Sequence, residues 1–439
     1  MIVMKFGGTS VGNAERIANA ANIVKSHIKK KPVVVVSAVT KITDALLKLA
    51  KECSEGKGEE TLRHIKQVHY GILEKLNLEK SLLKKDFEGL ENLVKNTQNK
   101  NIDAKILDYF QSFGERMSSK ILAEQLLKIG VKAQAFDSWD LGFLTDSEFG
   151  DAEPLEAAYK NLKNSIKKLK IVPVVTGFIG KNENGEITTL GRGGSDYTAA
   201  IIGAAINADE IQIWSDVNGI MSTDPKIVSN AKTLDQVSFA EASELAYFGA
   251  KVLHPKTILP AMDKNIPVKV LNSFNPKNNG TVILKKAGRG NKTVKAIACK
   301  KRVTLINVDS KRMLGAYGFL ARLFDIFAEY KRSVDVIATS EVSVSLTIDG
   351  DSNLEPILEK LKDIANVDVA GNKSIICVVG EGMRHTTGIA GMTFSTLGKS
   401  NVNVEMISQG ASEINITFIV DGKDAEKAVQ VLHKAYFGG

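Results

Sequence analysis

The first part of the chain alternates short apolar runs with segments of helical period. The run MIVMKF at residues 1–6 precedes a segment with Ile17, Ala21, Val24 and Ile28 at helical spacing, and the β-branched run PVVVVSAV follows. Runs without polar alternation are typical of strands buried on both faces, and IVPVVTGFIG and EIQIWSDV have the same character. We therefore predict an open α/β domain whose mainly parallel sheet is covered by helices.

The region between residues 42 and 127 is rich in charge and helical in pattern, without a convincing strand. We predict that its helices pack together on one side of the sheet. The α/β pattern ends near Leu284, where KKAGRGNK supplies glycine, asparagine and charge without an apolar period. Residues 1–284 are therefore predicted to form one domain, and residues 285–293 a linker.

The last third of the chain repeats a different order of elements. Residues 302–373 indicate β-α-β-β-α-β, and residues 374–439 begin the same order again, with Val334 corresponding to Val402. The second copy lacks a last strand, whereas VKAIACKK at residues 294–301 precedes the first copy without an assigned partner. We predict two ferredoxin-like α+β units, in which residues 294–301 complete the second unit and the first is nested inside it.

Composition and charge exclude several classes of protein. The three cysteines among 439 residues are far apart, which argues against a disulfide framework or a zinc site. The formal net charge is +8, but the basic clusters are dispersed and lack interleaved aromatic residues, so we expect no nucleic-acid partner. No apolar run reaches the roughly 18 residues of a membrane span, and no secretory leader is recognisable. We expect a cytoplasmic protein without a membrane partner.

The segment KFGGTSV at residues 5–11 has the composition of a phosphate-binding turn. A strand ending at Phe6, followed by Gly7, Gly8 and a helix, presents backbone N–H groups and a helix N-terminus, to which Lys5 adds a positive charge. The alternative is a tight turn with a surface lysine. The chain contains neither a GxxxxGK[ST] loop nor the glycine-rich loop of protein kinases, so a nucleotide site here would be of another kind.

A second glycine-rich turn occurs in TTLGRGGSDYTAA at residues 188–200. Here Arg192 lies among glycines before an alanine-rich helix, and a guanidinium group can bind a carboxylate through two hydrogen bonds. A simpler alternative is that Ser195 or Asp196 caps this helix.

The polar segment WSDVNGIMSTDPK at residues 214–226 follows a predicted strand. Loops at strand ends are a usual location of nucleotide contacts in α/β enzymes. The alternative is an ordinary β-hairpin through Asn218 and Gly219, and this segment taken singly favours the hairpin.

Five segments together resemble one family. KFGGTSV, SFGERMSS, TLGRGGSDYTA, IWSDVNGIMSTDP and FGAKVLHP, followed by two ferredoxin-like units, are similar to the aspartokinases nearly from end to end. The resemblance implies an amino-acid-kinase three-layer sandwich followed by two ACT domains. It implies transfer of the γ-phosphoryl group of ATP to the β-carboxylate of L-aspartate, the entry step to lysine, threonine and methionine. Since no dinucleotide fingerprint follows, we expect a monofunctional kinase.

The resemblance also assigns residues to the reactants. Lys5 is expected to contact the transferring phosphoryl group, and Asp196 to orient Lys5 or the metal. Arg192 is expected to hold the α-carboxylate of the substrate and Glu115 its α-ammonium group. The substrate-binding set is Thr43, Glu115, Arg192, Gly193, Gly194 and Ser195. The ATP-binding set is Lys5, Phe6, Gly7, Gly8, Ser215, Asp216, Met221, Lys226, Lys251 and Val252. Mg²⁺ is expected to bind through the ATP phosphates, with no protein ligand assigned.

The chemistry agrees with the absence of an obvious general base. The aspartate side chain has a pKa of about 3.9, so the nucleophile is already an anion at neutral pH. Two other functions stay open: a kinase of another amino acid such as glutamate, and an amino-acid sensor without catalytic activity.

Two residues also have a structural explanation. For Glu115 the alternative is a glutamate in the first turn of a helix, where the helix dipole favours a negative charge. His254 is expected to be structural.

In the C-terminal part, SVDVIATSEVSVSLTID resembles the lysine-contacting strand pair of lysine-sensitive aspartokinases. The resemblance implies an effector site formed by Met313, Asp335, Thr339, Ser340, Glu341 and Val342, with Asp335 or Glu341 binding an ammonium group. Lysine is the expected effector, and threonine, alone or in concert, is the alternative. From the residues alone, a polar hairpin turn explains Ser340 and Glu341. Paired ACT domains imply a homodimer or a homotetramer built as a dimer of dimers.

Overall fold

The computed structural model describes residues 1–249, 255–287, 293–310, 313, 317–351, 354–410 and 414–438. It divides into two compact units. The first unit comprises Met1–Ile220, Asp235–Phe239 and Val252–Ala287, and the second comprises Met221–Leu234, Ala240–Lys251 and Gly288–Gly439. The domain bounds derived from the sequence stay a prediction.

The first unit contains both strands and helices, with α2 to α5 in succession between β2 and β3. The strands are β1 (Ile2–Phe6), β2 (Pro32–Val36), β3 (Ala133–Phe136), β4 (Val172–Thr176), β5 (Ile179–Lys181), β6 (Ile187–Thr189), β7 (Glu210–Ser215), β8 (Gln236–Ser238), β9 (Val268–Asn272) and β10 (Thr281–Leu284). Its helices are α1 (Ala14–Ser26), α2 (Ile42–Ser54), α3 (Glu59–Leu76), α4 (Lys84–Thr97), α5 (Ala104–Lys128), α6 (Glu156–Lys168), α7 (Gly194–Ile206) and α9 (Leu259–Asp263), whereas α8 (Phe239–Tyr247) belongs to the second unit from Ala240 onward.

The main sheet of this unit has the order β3-β4-β2-β1-β7-β9-β10-β8. All neighbouring pairs are parallel except β9 and β10. Where the central strand β1 pairs with its two neighbours, Lys5 lies opposite Val35 of β2 and Ile213 of β7. The predicted α/β class with a mainly parallel sheet is confirmed.

Helices cover both faces of this sheet. Side chains of Ile2, Met4 and Phe6 belong to a core shared with α1 to α5, which confirms that the long helical region packs on one side. The intervening residues point to the opposite face, where α7 packs. Helix α7 is almost wholly buried, and Gly203 permits its close approach, because an added Cβ would lie 2.5 Å from Cδ1 of Ile211.

The second unit is built on one antiparallel sheet with strands of unequal length. Its strands are β11 (Ala296–Asp309), β12 (Val336–Thr339), β13 (Ser343–Asp349), β14 (Asn366–Val379), β15 (Met406–Ser408) and β16 (Asn415–Asp421), in the order β12-β13-β11-β14-β16-β15. Its helices include α10 (Phe319–Glu329), α11 (Glu355–Lys362), α12 (Ile389–Lys399) and α13 (Ala425–Phe437). Two separate cores, one with α10 and α11 and one with α12 and α13, lie against the two halves of the sheet.

The long strand β11 changes its partners along its length. Residues 303–309 pair with β13 on one side and with residues 366–373 of β14 on the other, whereas residues 296–301 pair with residues 374–379 of β14, and a register irregularity separates the two stretches. The segment that had no partner in the sequence thus lies in the second half of the sheet. None of the helices in the described part of the chain has both the length and the apolar character needed to cross a membrane.

A buried histidine makes the stability of the first unit depend on pH. His69 in α3 is fully buried, and its Nδ1 lies 2.8 Å from the carbonyl oxygen of Ile65. Burial lowers the pKa of His69 from 6.5 to about 4, because the imidazolium form would lose its hydration. The folded state therefore binds this proton more weakly than the unfolded state does. Stability present above about pH 6.5 is lost as the pH falls toward about 4.

We expect the free energy of unfolding of the first unit to fall by on the order of 3 kcal/mol over this pH range because of His69. Urea unfolding can be followed by the fluorescence of Trp139 and Trp214, the two tryptophans of the chain. His69→Gln should flatten the pH dependence, and His64→Gln, at an exposed position of the same helix, should leave it unchanged. An equal change of the free energy of unfolding with pH in the wild type and in His69→Gln would contradict this expectation.

Candidate active site

The central strands of the main sheet end side by side at their carboxyl edge. The chain builds β2, β3 and β4 on one side of β1 and then crosses to β7 on the other side. Such a reversal of strand order opens a crevice at the carboxyl ends of the strands, where open α/β sheets bind ligands. The segments that follow β1, β2, β4 and β7 therefore meet at one end of the sheet.

Lys5 faces α7 because its neighbours in β1, Met4 and Phe6, point into the opposite core. It is only 8% exposed, so the alternative of a surface lysine is wrong. Its Nζ forms an ion pair with Oδ1 of Asp196, in the first turn of α7, at 2.5 Å. The pair places an oriented ammonium group beside the positive end of a helix dipole.

Two glycines allow the segments around the crevice to approach one another. An added Cβ at Gly8 would lie 2.9 Å from the carbonyl oxygen of Ala38, in the loop after β2. An added Cβ at Gly114 of α5 would lie 2.7 Å from the Cβ of the same alanine. Any side chain at either position would push the β1 turn or α5 away from this loop. Packing therefore explains part of the KFGG and FGER patterns.

Glu115 is buried directly after Gly114, with 3% of its surface exposed. Its Oε1 accepts a hydrogen bond from the backbone N–H of Ala38 at 3.0 Å, while its buried Oε2 has no hydrogen-bond partner among the described residues. Burial raises the pKa of Glu115 from 4.5 to about 8, so its carboxyl group is mainly protonated at neutral pH. Because α5 begins at Ala104, the explanation of Glu115 as a first-turn residue is wrong.

The turn between β6 and α7 carries Arg192 at an exposed position, and Ser195 is buried at the second position of α7. Gly193, with φ of 75°, is the N-cap of α7, and no side chain caps this helix. The alternative that Ser195 or Asp196 acts as the cap is therefore wrong. Gly194 fits closely against the segment after β4, since an added Cβ would lie 2.7 Å from Cδ2 of Phe178.

A cavity of about 740 Å³ lies between these segments. It brings together many of the residues that the sequence singled out: Lys5, Gly8, Thr43, Glu115, Arg192, Gly193, Gly194, Ser195 and Asp196. Sequence reasoning missed a second set that also lines it: Ser37, Ala38, Val39, Thr40, Gln111, Phe178 and Thr189. The signal for Ser37–Thr40 was their position directly after a buried strand, but these residues include no glycine that would mark the loop as a ligand-binding turn.

The remaining residues predicted to bind ATP lie in several places. Phe6 ends β1 and Gly7 follows it. The N–H of Gly7 donates to the carbonyl oxygen of Trp214 at 3.1 Å, and Ser215 and Asp216 are the next two residues of that segment. Met221 and Lys226 belong to the second unit. Lys251, Val252 and His254 lie outside the described residues.

The segment after β7 is not a hairpin through Asn218 and Gly219. Strand β7 ends at Ser215, and the next antiparallel bridge joins Met221 to Thr233. The described residues contain no group of three His, Cys, Asp or Glu side chains arranged to hold a metal ion.

Four of the predicted effector residues, Thr339 to Val342, lie at the turn between β12 and β13, and all four are exposed. The N–H of Ser340 donates to the carbonyl oxygen of Ser343 at 2.8 Å, so the polar hairpin turn is present. Met313 is connected to this turn through Ser310, whose N–H donates to the Val342 carbonyl at 2.9 Å and whose carbonyl accepts from the Met313 N–H at 3.0 Å.

Asp335 lies at the opposite end of β12, roughly 13 Å along the strand from the turn. Its side chain is 5% exposed, and its Oδ2 pairs with Nζ of Lys300 at 2.8 Å. Its Oδ1 accepts a hydrogen bond from the hydroxyl group of Tyr247 at 2.9 Å. Both carboxylate oxygens of Asp335 are therefore engaged within the chain, which the sequence did not anticipate.

Comparison with known families identifies two regions of the chain. The Amino acid kinase family matches residues 1–272, and an ACT domain family matches residues 376–436. Aspartokinase 1, chloroplastic, of Arabidopsis thaliana is 43% identical over 99% of this chain and 80% of its own length. Lysine-sensitive aspartokinase 3 of Escherichia coli (strain K12) is 39% identical over 100% of this chain and 99% of its own length.

Comparison with solved structures also finds aspartokinases. The E. coli aspartokinase III in complex with aspartate and ADP (R-state) has a TM-score of 0.87 at 37% identity, with 100% of both chains covered. The same enzyme in complex with lysine and aspartate (T-state) has a TM-score of 0.83 at 37% identity, covering 100% of this chain and 99% of its own.

Proposed function

The chain belongs to the aspartokinase family, and we propose that the cavity of the first unit is where the γ-phosphoryl group of ATP passes to the β-carboxylate of L-aspartate. The products are 4-phospho-L-aspartate and ADP. The observation that carries the proposal is that Lys5, Glu115 and Arg192 line the same cavity. Each of these side chains is complementary to one charged group of the reactants.

The main barrier to this reaction is repulsion between two anions. The β-carboxylate is ionised at neutral pH, so no base is needed to activate it, but it must approach a polyphosphate in line. In our proposal Lys5 neutralises charge on the transferring group, and the backbone N–H of Gly8 contributes further positive potential, whereas that of Gly7 already donates to the carbonyl oxygen of Trp214. Asp196 fixes the position of the Lys5 ammonium group through their ion pair.

The remaining cavity residues orient the amino acid. We propose that Arg192 binds the α-carboxylate as a fork and that the buried Oε2 of Glu115 accepts from the α-ammonium group. Thr43, Ser195 and the turn at Gly193 and Gly194 complete the pocket. With both ends of the backbone held, the β-carboxylate is free to point toward Lys5.

The nucleotide is proposed to contact Phe6 to Gly8, Ser215 and Asp216, at the ends of β1 and β7. The roles of Met221, Lys226, Lys251 and Val252 stay predictions from the sequence. Mg²⁺ usually retains several waters and binds through substrate phosphates with one or two carboxylates. Asp196, beside Lys5, is the carboxylate best suited to face such an ion. When bound, Mg²⁺ would supply charge neutralisation to the phosphates.

We further propose that the second unit binds an amino-acid effector, with lysine as the first candidate. A related aspartokinase has been solved with lysine in a T-state, which supports the choice. Since Asp335 and the turn at residues 339–342 lie at opposite ends of β12, one lysine is too short to reach both within one chain. A homodimer, or a dimer of dimers, formed through the ACT units would bring a second copy of these residues to the site. The enzyme would then catalyse a feedback-inhibited first step of lysine, threonine and methionine biosynthesis in the cytoplasm.

An ammonium group of the effector that binds Asp335 must displace the one already there. Nζ of Lys300 pairs with Oδ2 of Asp335 in the structure. The ammonium group of this lysine therefore competes with that of the effector for the Asp335 carboxylate. Lys301, the next residue, pairs instead with Glu426 at 2.6 Å in an exposed position.

Lys5→Met should reduce the rate of phosphoryl transfer by at least about 100-fold, because the charge opposing the anion repulsion is lost. Acyl phosphate trapped with hydroxylamine measures the rate, and circular dichroism checks the fold. Lys30→Met is the matched control, since it removes an ion pair with Glu210 at the start of β7, at the end of the strands opposite the cavity. Unchanged turnover in folded Lys5→Met protein would remove Lys5 from the mechanism.

Binding of aspartate should release close to one proton at pH 7. Glu115 is mainly protonated in the free protein because its pKa is about 8, and an ammonium group at Oε2 favours the ionised form. Aspartate affinity should therefore rise with pH up to about 8 and then level off. Calorimetry in two buffers of different ionisation enthalpy counts the protons. Glu115→Gln should release almost none, while Glu124→Gln, on the same helix, should behave as the wild type.

Lys300→Met should lower the lysine concentration needed for half-inhibition by about tenfold or more, because Asp335 no longer has an internal cation. Lys301→Met should leave it unchanged. Thermal shifts with lysine and with threonine identify the effector independently of activity. Stabilisation by threonine alone would overturn the choice of lysine, and equal lysine inhibition of the Lys300→Met and wild-type enzymes would overturn the competition.

A further inference from the structure

Asp108 is a second buried carboxylate on α5, seven residues before Glu115. Because two helical turns span about 7.2 residues, the two side chains lie on the same face of the helix. Asp108 is 1% exposed and does not line the cavity itself. Burial of a carboxylate is costly unless its oxygens are well hydrogen-bonded, so the partners of Asp108 indicate what it is retained for.

Three donors converge on Asp108, and all belong to segments at the cavity. Its Oδ2 accepts from the backbone N–H of Thr189 at 2.8 Å and from that of Gly150 at 3.0 Å. Its Oδ1 accepts from the hydroxyl group of Thr189 at 2.8 Å. Gly150 and Thr189 both line the cavity.

These bonds hold two loops against each other. Thr189 ends β6, three residues before Arg192, and its carbonyl oxygen accepts from the N–H of Ala152 at 2.9 Å. Gly191 lies against the same loop, because an added Cβ would be 2.7 Å from Oδ1 of Asp151. The strand end that precedes the arginine turn is thus fixed to α5 at one side and to residues 150–152 at the other.

We propose that Asp108 is a positioning residue for the amino-acid substrate. It fixes the turn that carries Arg192 relative to Glu115, since both Asp108 and Glu115 project from the rigid helix α5. The distance between the groups that bind the α-carboxylate and the α-ammonium is then set by one helix and one set of hydrogen bonds. The inference rests on the proposed function, in which Arg192 and Glu115 bind the two ends of aspartate.

A positioning role differs from a merely structural one in what it changes. Displacement of the arginine turn weakens binding of the amino acid and leaves the glycine turn at β1 in place. An asparagine at position 108 has the same shape as the aspartate but only one side-chain oxygen that accepts hydrogen bonds. Its NH₂ group would face the N–H or hydroxyl donors of Gly150 and Thr189. We therefore expect Asp108→Asn to raise KM for aspartate by about 10- to 100-fold and to change KM for ATP by less than about twofold.

The test measures both KM values, kcat and thermal stability for the full chain. Thr189→Val removes the hydroxyl donor and should raise the aspartate KM several-fold, whereas Thr189→Ser keeps the donor and should restore it. Asp86→Asn is the matched control: Asp86 is equally buried on α4 and pairs with Lys120 at 2.7 Å. It should lower stability without changing the ratio of the two KM values.

The outcomes separate this inference from the proposed function. If the wild type forms no acyl phosphate with aspartate, the proposed function fails. If the wild type is active and Asp108→Asn changes both KM values equally, or neither, the positioning role is wrong. If Asp108→Asn does not fold, the threonine pair decides, and equal aspartate KM values for Thr189→Val and Thr189→Ser overturn the inference.

Discussion

The ion pair between Lys5 and Asp196 depends on which face of β1 the lysine occupies. Alternate residues of a strand point to opposite faces, so a shift of one residue would turn Lys5 into the apolar core with α1 to α5. The parallel pairing with β2 and β7 prevents this, and it also fixes the strand ends from which the glycine turns begin. The start of α7 then supplies both the anionic partner and the positive end of a helix dipole.

The two buried carboxylates of α5 differ in how fully they are bonded. Asp108 receives three hydrogen bonds from loops that border the cavity, so it has little capacity left for a ligand. Glu115 receives one from Ala38 and keeps a buried oxygen without a partner among the described residues. A buried polar atom without a partner is costly, and a bound cation can remove that cost. Asp108 thus holds the loops of the cavity in place, while Glu115 keeps an oxygen available for a ligand.

Local pattern was sufficient to predict much of this architecture. Unbroken apolar runs predicted the parallel strands, and the repeat of element order predicted the ferredoxin-like units. KFGGTSV and TLGRGGSD drew attention to Lys5 and Arg192 because glycine turns have a recognisable composition. Other contacts were harder to predict. The loop from Ser37 to Thr40 contains no glycine turn and was missed, and the sequence did not show that Tyr247 and Lys300 already engage Asp335. The capping explanation of Asp196 failed because its carboxylate pairs with a lysine far away in sequence.

A crystal structure of the protein with L-aspartate and a non-hydrolysable ATP analogue tests the central claim most directly. We expect Nζ of Lys5 to lie within hydrogen-bond distance of the terminal phosphate, with a β-carboxylate oxygen about 3 to 3.5 Å from its phosphorus atom. A complex in which both reactants are bound while Lys5 contacts neither of them would contradict it.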